Sequence, residues 1–500
     1  MTAQTFSATI IGFEAKIIEV ECDSTKGLPI LQIVGLGNKA IDEAKERVRS
    51  AIYNSQLDFP ARRVTINLAP ANLPKHGAHF DLPIAIAILT VSGQLRQEEI
   101  DTCMFAGELA LNGALRPIIG SINLSEVAER SGLSSVFVPK ANADEAAIIE
   151  GVNVYGIENL GELFLHLKGE KKLLPHSPPK VAPVVTKNAP KLEDVRGQAQ
   201  AKRAMMIAAA GHHNILLSGP PGAGKTMLAK VLPGLLPPLS LKERIEVTKL
   251  HSAAGEPVEQ LLVDRPFRAP HHTASHISLI GGGQRPKPGE ISLAHLGVLF
   301  LDEIPEYSRL ALESLRQPLE DRVINISRAN DRLSYPANFM LVATQNPCPC
   351  GYLGDTVREC SCSSMQILNY KKRLSGPLLD RIDIVVEVAR IDYKNFLDEH
   401  PLDATINYTR QIIKARESQL NRYGKSGITN SVLSSQDVSK LISLSPAIKQ
   451  LLTLAAERLG LTARSYFKVI KIARTIADLE ASKDITEAHI SEALQYRAQS

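Results

Sequence analysis

The chain has 500 residues, with 57 Lys or Arg against 53 Asp or Glu, for a formal net charge of +4. So small an excess excludes a surface that is basic all round, though not a local basic patch, and 6 cysteines in such a length exclude a disulfide scaffold. The first residues lack the basic start and apolar core of a signal peptide, and the longest apolar run, Leu82–Val91, is too short to cross a bilayer; a cytoplasmic protein with no membrane partner is expected. Taken in chain order, periodicity predicts strands at Phe6–Ile11, Lys16–Glu21 and Ile30–Val34, a helix over Ala40–Ser55 and a strand at Arg63–Leu68. Helices over Leu82–Val91 and Asn123–Ser131 and a strand at Ser135–Val138 complete an α/β or α+β domain over residues 1–168. Residues 169–191 are rich in proline and lysine without apolar periodicity and read as an extended linker.

A second region, 192–391, opens with a helix over Gln198–Ala210 and the apolar run Asn214–Ser218. Buried strands follow at Val298–Asp302, Phe339–Thr344 and Ile384–Val388, with a hairpin of Val323–Ser327 and Arg332–Tyr335 around a turn containing Asn330 and Asp331. This alternation implies an α/β core with a mostly parallel sheet and its ligand at the carboxyl edge. Residues 392–500 are purely helical in pattern, over Tyr408–Asn421, Ala447–Leu459, Ala463–Ser482 and Thr486–Arg497.

Chemistry concentrates in the second region. Gly219, Pro220, Pro221, Gly222, Ala223, Gly224, Lys225 and Thr226 fit G-x-x-x-x-G-K-[ST] between a strand and a helix. Glycine-rich backbone cradles a triphosphate, the lysine neutralises its β- and γ-phosphates, and the threonine hydroxyl reaches Mg²⁺, so ATP and Mg²⁺ are the expected cofactors. Asp302 and Glu303 end an apolar strand, where the first can hold Mg²⁺ through its water shell and the second can activate the attacking water. Asn346, at the end of the Phe339 strand, is placed to contact the γ-phosphate or that water. Arg381 and Arg464 read, by residue type alone, as surface or salt-bridge arginines. Cys348, Cys350, Cys360 and Cys362 crowd into one short loop and suit a tetrahedral structural zinc site, with free thiols and a redox-labile pair as the competing readings. The adjacent pair His212 and His213 reads as a polar surface feature.

The series GPPGAGKT, RAPHHTAS, PGEISLAHLGVLFLDE, ATQNPCPCG, LSGPLLDRIDI and ARSYFKVIKIARTIADL resembles the ComM/YifB family of magnesium-chelatase-like AAA+ ATPases over nearly the whole chain. The resemblance implies that Lys225 and Thr226 are the Walker A pair, Asp302 and Glu303 the Walker B pair, and Asn346 sensor 1. It makes Arg381 an arginine finger that acts on a neighbour, and Arg464 the sensor 2 of a helical lid that swings over the nucleotide. It also implies a likeness to MCM-type helicases, with an insert at about 268–288 and a hairpin at about 323–335 facing the pore of a homohexameric ring. Arg328, Arg332, His271 and His272 are then the expected DNA contacts, with Arg265, Arg268, Arg285, Lys287 and Arg322 adding to a basic channel. The implied activity is an ATP-driven DNA motor for branch migration in homologous recombination during natural transformation. Its expected partners are single-stranded or branched DNA and recombination proteins. The alternative is a remodelling ATPase, similar to the magnesium-chelatase ATPase subunit or a chaperone, that acts on a protein partner. Residues 1–168 resemble the proteolytic domain of Lon, a ribosomal-protein-like α/β fold, through Pro74–His79 and Gly107–Pro117. His79 occupies the position of the Lon serine and no lysine lies between Leu115 and Glu129, so a Ser–Lys dyad and peptide hydrolysis are not expected.

Overall fold

Alternating apolar residues in the first 25 positions fold back on themselves. Thr2–Ile11 and Glu14–Thr25 pair antiparallel, with Thr2 opposite Asp23 and Ile11 opposite Glu14. The computed structural model describes residues 2–35, 39–75, 77–177, 190–256, 261–283, 287–327, 332–355, 357–390, 408–425 and 427–497. It divides into two units: Met1–Pro183 with Arg244–Leu262 and Ser327–Leu333, and Val184–Glu243 with Val263–Ile326 and Ser334–Ser500.

In the first unit the hairpin is the centre of a seven-stranded mixed sheet. The order is Ile30–Val34, Arg63–Ala69, Glu14–Thr25, Thr2–Ile11, Cys103–Phe105, Ser135–Pro139 and Asn153–Ile157. Cys103–Phe105 and Asn153–Ile157 escape a periodicity reading for physical reasons. The first is buried at every residue and so shows no alternation, and the second is five residues broken by Gly156. Helix Asp81–Val91 is buried along its whole length, which is why its sequence is apolar all round, and each buried Leu or Ile contributes about 1.5–3 kcal/mol. Its one carboxylate, Asp81, receives Arg47 Nε and Nη2 at 2.7 and 3.0 Å; burial still pushes the Asp81 carboxyl up to about 6 against that pull.

The later segment Arg244–Leu262 packs within this same unit. Lys249 pairs with Glu126 and lies 4.5 Å from the centre of the Phe13 ring. Ser252 and Ser121 donate to the two oxygens of Glu145 at 2.7 and 2.6 Å. Most of the expected linker lies outside the described residues, but its first part does not run free. His176 donates its backbone N–H to Val154 O at 2.7 Å, and its ring sits 2.6 Å from Asp144.

The second unit carries five strands, all parallel, in the order Phe267–Arg268, Val298–Leu301, Met340–Gln345, Ile215–Ser218 and Ile384–Glu387. Val298–Leu301 is buried throughout and Met340–Gln345 nearly so, as an internal parallel sheet covered on both faces requires. Helices Tyr408–Tyr423, Ser435–Leu441, Pro446–Leu459, Ala463–Leu479 and Glu487–Gln495 make up the C-terminal region. Ile472 and Ile476 of that region share one apolar cluster with Met205 and Ile207 of helix Ala199–Gly211 and with the sheet residues Ile215 and Ile384. Ser435–Leu441 is absent from the sequence reading because it is mostly polar; its signal was the capping box of Ser434 and Asp437. The expected class, mixed α/β with a parallel sheet and a helical C-terminus, is the class found.

Candidate functional site

Register assembles the site. Ser218 stands beside Gln345 and Leu301 beside Ala343, so the residues that follow these parallel strands emerge together at the carboxyl edge. Gly224 closes the phosphate loop at φ 87° and is the N-cap of helix Lys225–Leu235, whose free N–H groups and dipole favour an anion there. Lys225 is buried, and its Nζ donates to Gly219 O, Pro220 O and Asn346 Oδ1 at 2.5, 2.9 and 3.0 Å. Burial pulls the Lys225 pKa down, and the charges of Asp302 and Glu303 oppose that pull.

The carboxylate pair is set by a residue the sequence reading missed. Thr344 Oγ1 donates to Asp302 Oδ1 at 2.5 Å and accepts the Glu303 backbone N–H at 2.9 Å. Glu303 adopts φ 49°, a left-handed conformation that a non-glycine residue holds only when its neighbours fix it. Asn346 Nδ2 points to Glu303 Oε1 at 3.5 Å. The Thr226 hydroxyl lies 3.4 Å from Asp302 Oδ2, and this hydroxyl–carboxylate pair is the hard-oxygen donor set that suits Mg²⁺. The available signal for Thr344 was its position two residues before Asn346 on the strand paired with Val298–Leu301.

The two arginines stand elsewhere. Arg381 Nη2 donates to Glu320 Oε2 at 2.5 Å, and its other nitrogens donate to Pro377 O and Arg316 O at 2.7 and 3.2 Å. Arg464 Nη2 meets the other oxygen of the same carboxylate, Glu320 Oε1, at 2.8 Å. Burial works against the Glu320 charge, but Arg381 and then Arg464 hold its carboxyl below the usual range. Arg381 precedes strand Ile384–Glu387, whereas the phosphate loop follows strand Ile215–Ser218, and Ile215 pairs with Ile384. Arg381 and the phosphate loop therefore lie beyond opposite ends of two paired parallel strands, each about 13 Å long for four residues. Arg464 thus lies beside Arg381, the two guanidinium groups sharing the Glu320 carboxylate.

Other expected residues divide. The thiols of Cys348, Cys350, Cys360 and Cys362 all lie within 4.8 Å of one another. His271 is exposed, its ring tilted 34° against that of His272 with ring centres 4.1 Å apart. Arg328 and Arg285 lie outside the described residues, as does the Arg332 side chain, while Val323–Ser327 and Arg332–Pro336 pair as a two-stranded sheet. Arg265 is spent inside the fold, donating to Pro237 O and Leu296 O at 2.6 Å each, and Arg268 is held by both oxygens of Glu290 at 2.7 and 2.9 Å. The expectation that His212 and His213 form a surface pair is corrected: His213 is 1% exposed, with Nε2 2.9 Å from Thr475 Oγ1 and Nδ1 3.4 Å from Asp383. In the first unit the half-buried His79 ring lies 2.9 Å from Ala8 O, and burial lowers its pKa.

No described helix is long and apolar enough to cross a membrane. Three family models match: magnesium chelatase, subunit ChlI, over residues 191–396; subunit ChlI of Mg-chelatase over 20–142; and magnesium chelatase, subunit ChlI C-terminal, over 403–497. A stretch of 165 residues, 31% of this chain and 21% of the relative, is 27% identical to a Lon protease of Mycolicibacterium smegmatis. Uncharacterized protein YifB of Escherichia coli is 43% identical over 493 residues, 98% of this chain and 95% of that one. Competence protein ComM of Haemophilus influenzae is 42% identical over 503 residues, 99% of this chain and 97% of that one. Identity of that order across essentially the whole of both chains settles the kinship, and this chain belongs to the ComM/YifB family of magnesium-chelatase-like AAA+ ATPases.

Proposed function

We propose that the chain is an ATP-hydrolysing DNA motor that works as a homohexameric ring, driving branch migration in homologous recombination during natural transformation alongside recombination proteins. The observation that carries this reading is the division of the ATP chemistry between two edges of one sheet. Lys225, Thr226, Asp302, Glu303 and Asn346 converge at the carboxyl edge, and Arg381 and Arg464 share Glu320 at the other. A site so divided is completed by a second copy. Full-length similarity to a protein named for competence supports a role with DNA.

In this reading Lys225 and the loop N–H groups hold the phosphates of ATP, and Glu303, oriented by Asn346, takes the proton of the attacking water. Thr226 and Asp302 would hold Mg²⁺, which would supply charge neutralisation to the triphosphate. Arg381, with Arg464, reaches the γ-phosphate of the neighbouring chain, and Arg328, Arg332, His271 and His272 contact DNA in the pore. ATP turnover measured with and without forked or single-stranded DNA across a salt series tests this directly. Strong stimulation that fades with salt is expected. Arg328→Ala is expected to keep nucleotide binding and lose that stimulation, and unchanged stimulation overturns the DNA contact.

A second reading has its own support, because all three matching family models describe a magnesium-chelatase subunit. A remodelling ATPase would be stimulated by a protein substrate and be indifferent to DNA, the opposite result in the same assay.

A further inference from the structure

The loop after Asn346 brings four thiols together in a place where burial alone gives little reason for them to meet. Cys348 is fully buried, but Cys350, Cys360 and Cys362 are only half-buried, so their convergence recovers little hydrophobic free energy. Sγ of Cys348 lies 3.4 Å from that of Cys350 and 3.6 Å from that of Cys360, and Cys350 and Cys360 are 3.6 Å apart. Disulfide sulfurs would be about 2.05 Å apart, whereas four sulfurs around one zinc at about 2.3 Å have edges of about 3.8 Å. The backbone N–H groups of Cys350 and Cys362 point at Sγ of Cys362 and Cys360, at 3.4 and 3.5 Å. Such N–H donors are the outer shell that metal-bound thiolates keep.

The same loop touches the phosphate loop. Gly351, at φ 85°, turns the chain directly after Cys350, and a Cβ placed on it would sit 2.6 Å from Cδ of Pro221. Only glycine allows this approach. The thiol cluster is thus joined to Asn346 through the single residue Pro347, and to the Gly219–Thr226 loop by the close approach of Gly351 to Pro221.

We propose that Cys348, Cys350, Cys360 and Cys362 hold one structural zinc ion, and that this centre braces the phosphate loop through Gly351 and Pro221. The zinc is closed to chemistry, with four soft thiolates and no open position, while the hard-oxygen pair Thr226 and Asp302 is left to Mg²⁺. The metal centre stands on its own geometry; its effect on turnover rests on the ATP-site reading above.

The test uses the full chain purified without added zinc. Elemental analysis is expected to find about one zinc per chain. The cobalt-substituted protein is expected to show an intense thiolate-to-cobalt band with the visible bands of a tetrahedral site. The double variant Cys360→Ser/Cys362→Ser is expected to lose the metal and about tenfold in ATP turnover. Gly351→Ala covers the case in which that variant does not fold: it keeps all four thiols and its zinc, yet pushes on Pro221 and loses turnover to a similar degree. A native chain without zinc and without the cobalt spectrum overturns the metal centre. Native turnover in the zinc-free variant, or in Gly351→Ala, overturns the brace. A native chain that hydrolyses no ATP at all removes the ATP-site reading and leaves the metal result standing.

Discussion

A single hydroxyl decides how the two carboxylates of the ATP site are presented. Thr344 is fully buried, and its Oγ1 is at once the donor to Asp302 and the acceptor for the N–H of Glu303. Valine has nearly the same shape and suits a strand, so Thr344→Val removes the hydroxyl with little change in packing. It leaves the Glu303 N–H without its partner, a loss of about 1–3 kcal/mol where the group stays dry. Glu303 then has less to hold it at φ 49°. The expected outcome is a kcat lower by about tenfold with KM for ATP little changed, because Lys225 and the loop still bind the phosphates. A native kcat in Thr344→Val, measured in single turnover, shows that Thr344 does not position Glu303. Arg265 gives the same lesson from the other side. Its charge suggested nucleic acid, but its geometry commits it to two backbone carbonyls.

Between elements, the joint that holds the nucleotide strand to the helical region runs through Asp383. Its carboxylate receives the Asn214 N–H at 3.2 Å, with the His213 ring 3.4 Å and Lys468 Nζ 3.9 Å away. Burial pushes the Asp383 carboxyl up, but His213 and Lys468 outweigh it and hold the group below the usual carboxylate value. A carboxyl held low in the folded chain contributes stability that is present above its unfolded value, about 3.9, and is lost as pH falls through the lower folded one. Thermal melting across the acid range is therefore expected to show Asp383→Asn less stable than the native chain at neutral pH, with the gap closing below about pH 4. A constant gap across that range assigns the acid sensitivity elsewhere. Much of this level was legible in the sequence. The phosphate loop and the Asp302–Glu303 pair are contiguous motifs at strand ends, and long apolar strands announce themselves. Thr344, Glu320 and the burial of His213 were not legible, because each depends on which strands and helices become neighbours. Short elements such as Phe267–Arg268 carry too few residues for any period to show.

At the scale of the whole molecule, the position of the arginines is a statement about assembly. Arg381 and Arg464 are gathered on Glu320 before the strand that lies beside Ile215–Ser218, while ATP chemistry gathers after it. If the ring reading holds, each ATP site takes Lys225 from one chain and Arg381 from the next. Lys225→Ala and Arg381→Ala chains are each expected to be inactive alone, for different reasons. Mixed in equal amounts and allowed to exchange, they regenerate working sites wherever an Arg381→Ala chain supplies Lys225 and a Lys225→Ala neighbour supplies the arginine. Random arrangement makes that one half of one half of the interfaces, so about a quarter of native turnover returns if sites act independently. Mixing Lys225→Ala with the double variant Lys225→Ala/Arg381→Ala restores nothing, because no intact lysine is present. A mixture of the two single variants that stays as inactive as its parts places Arg381 outside the neighbour's site, and with it falls the ring as the unit of catalysis.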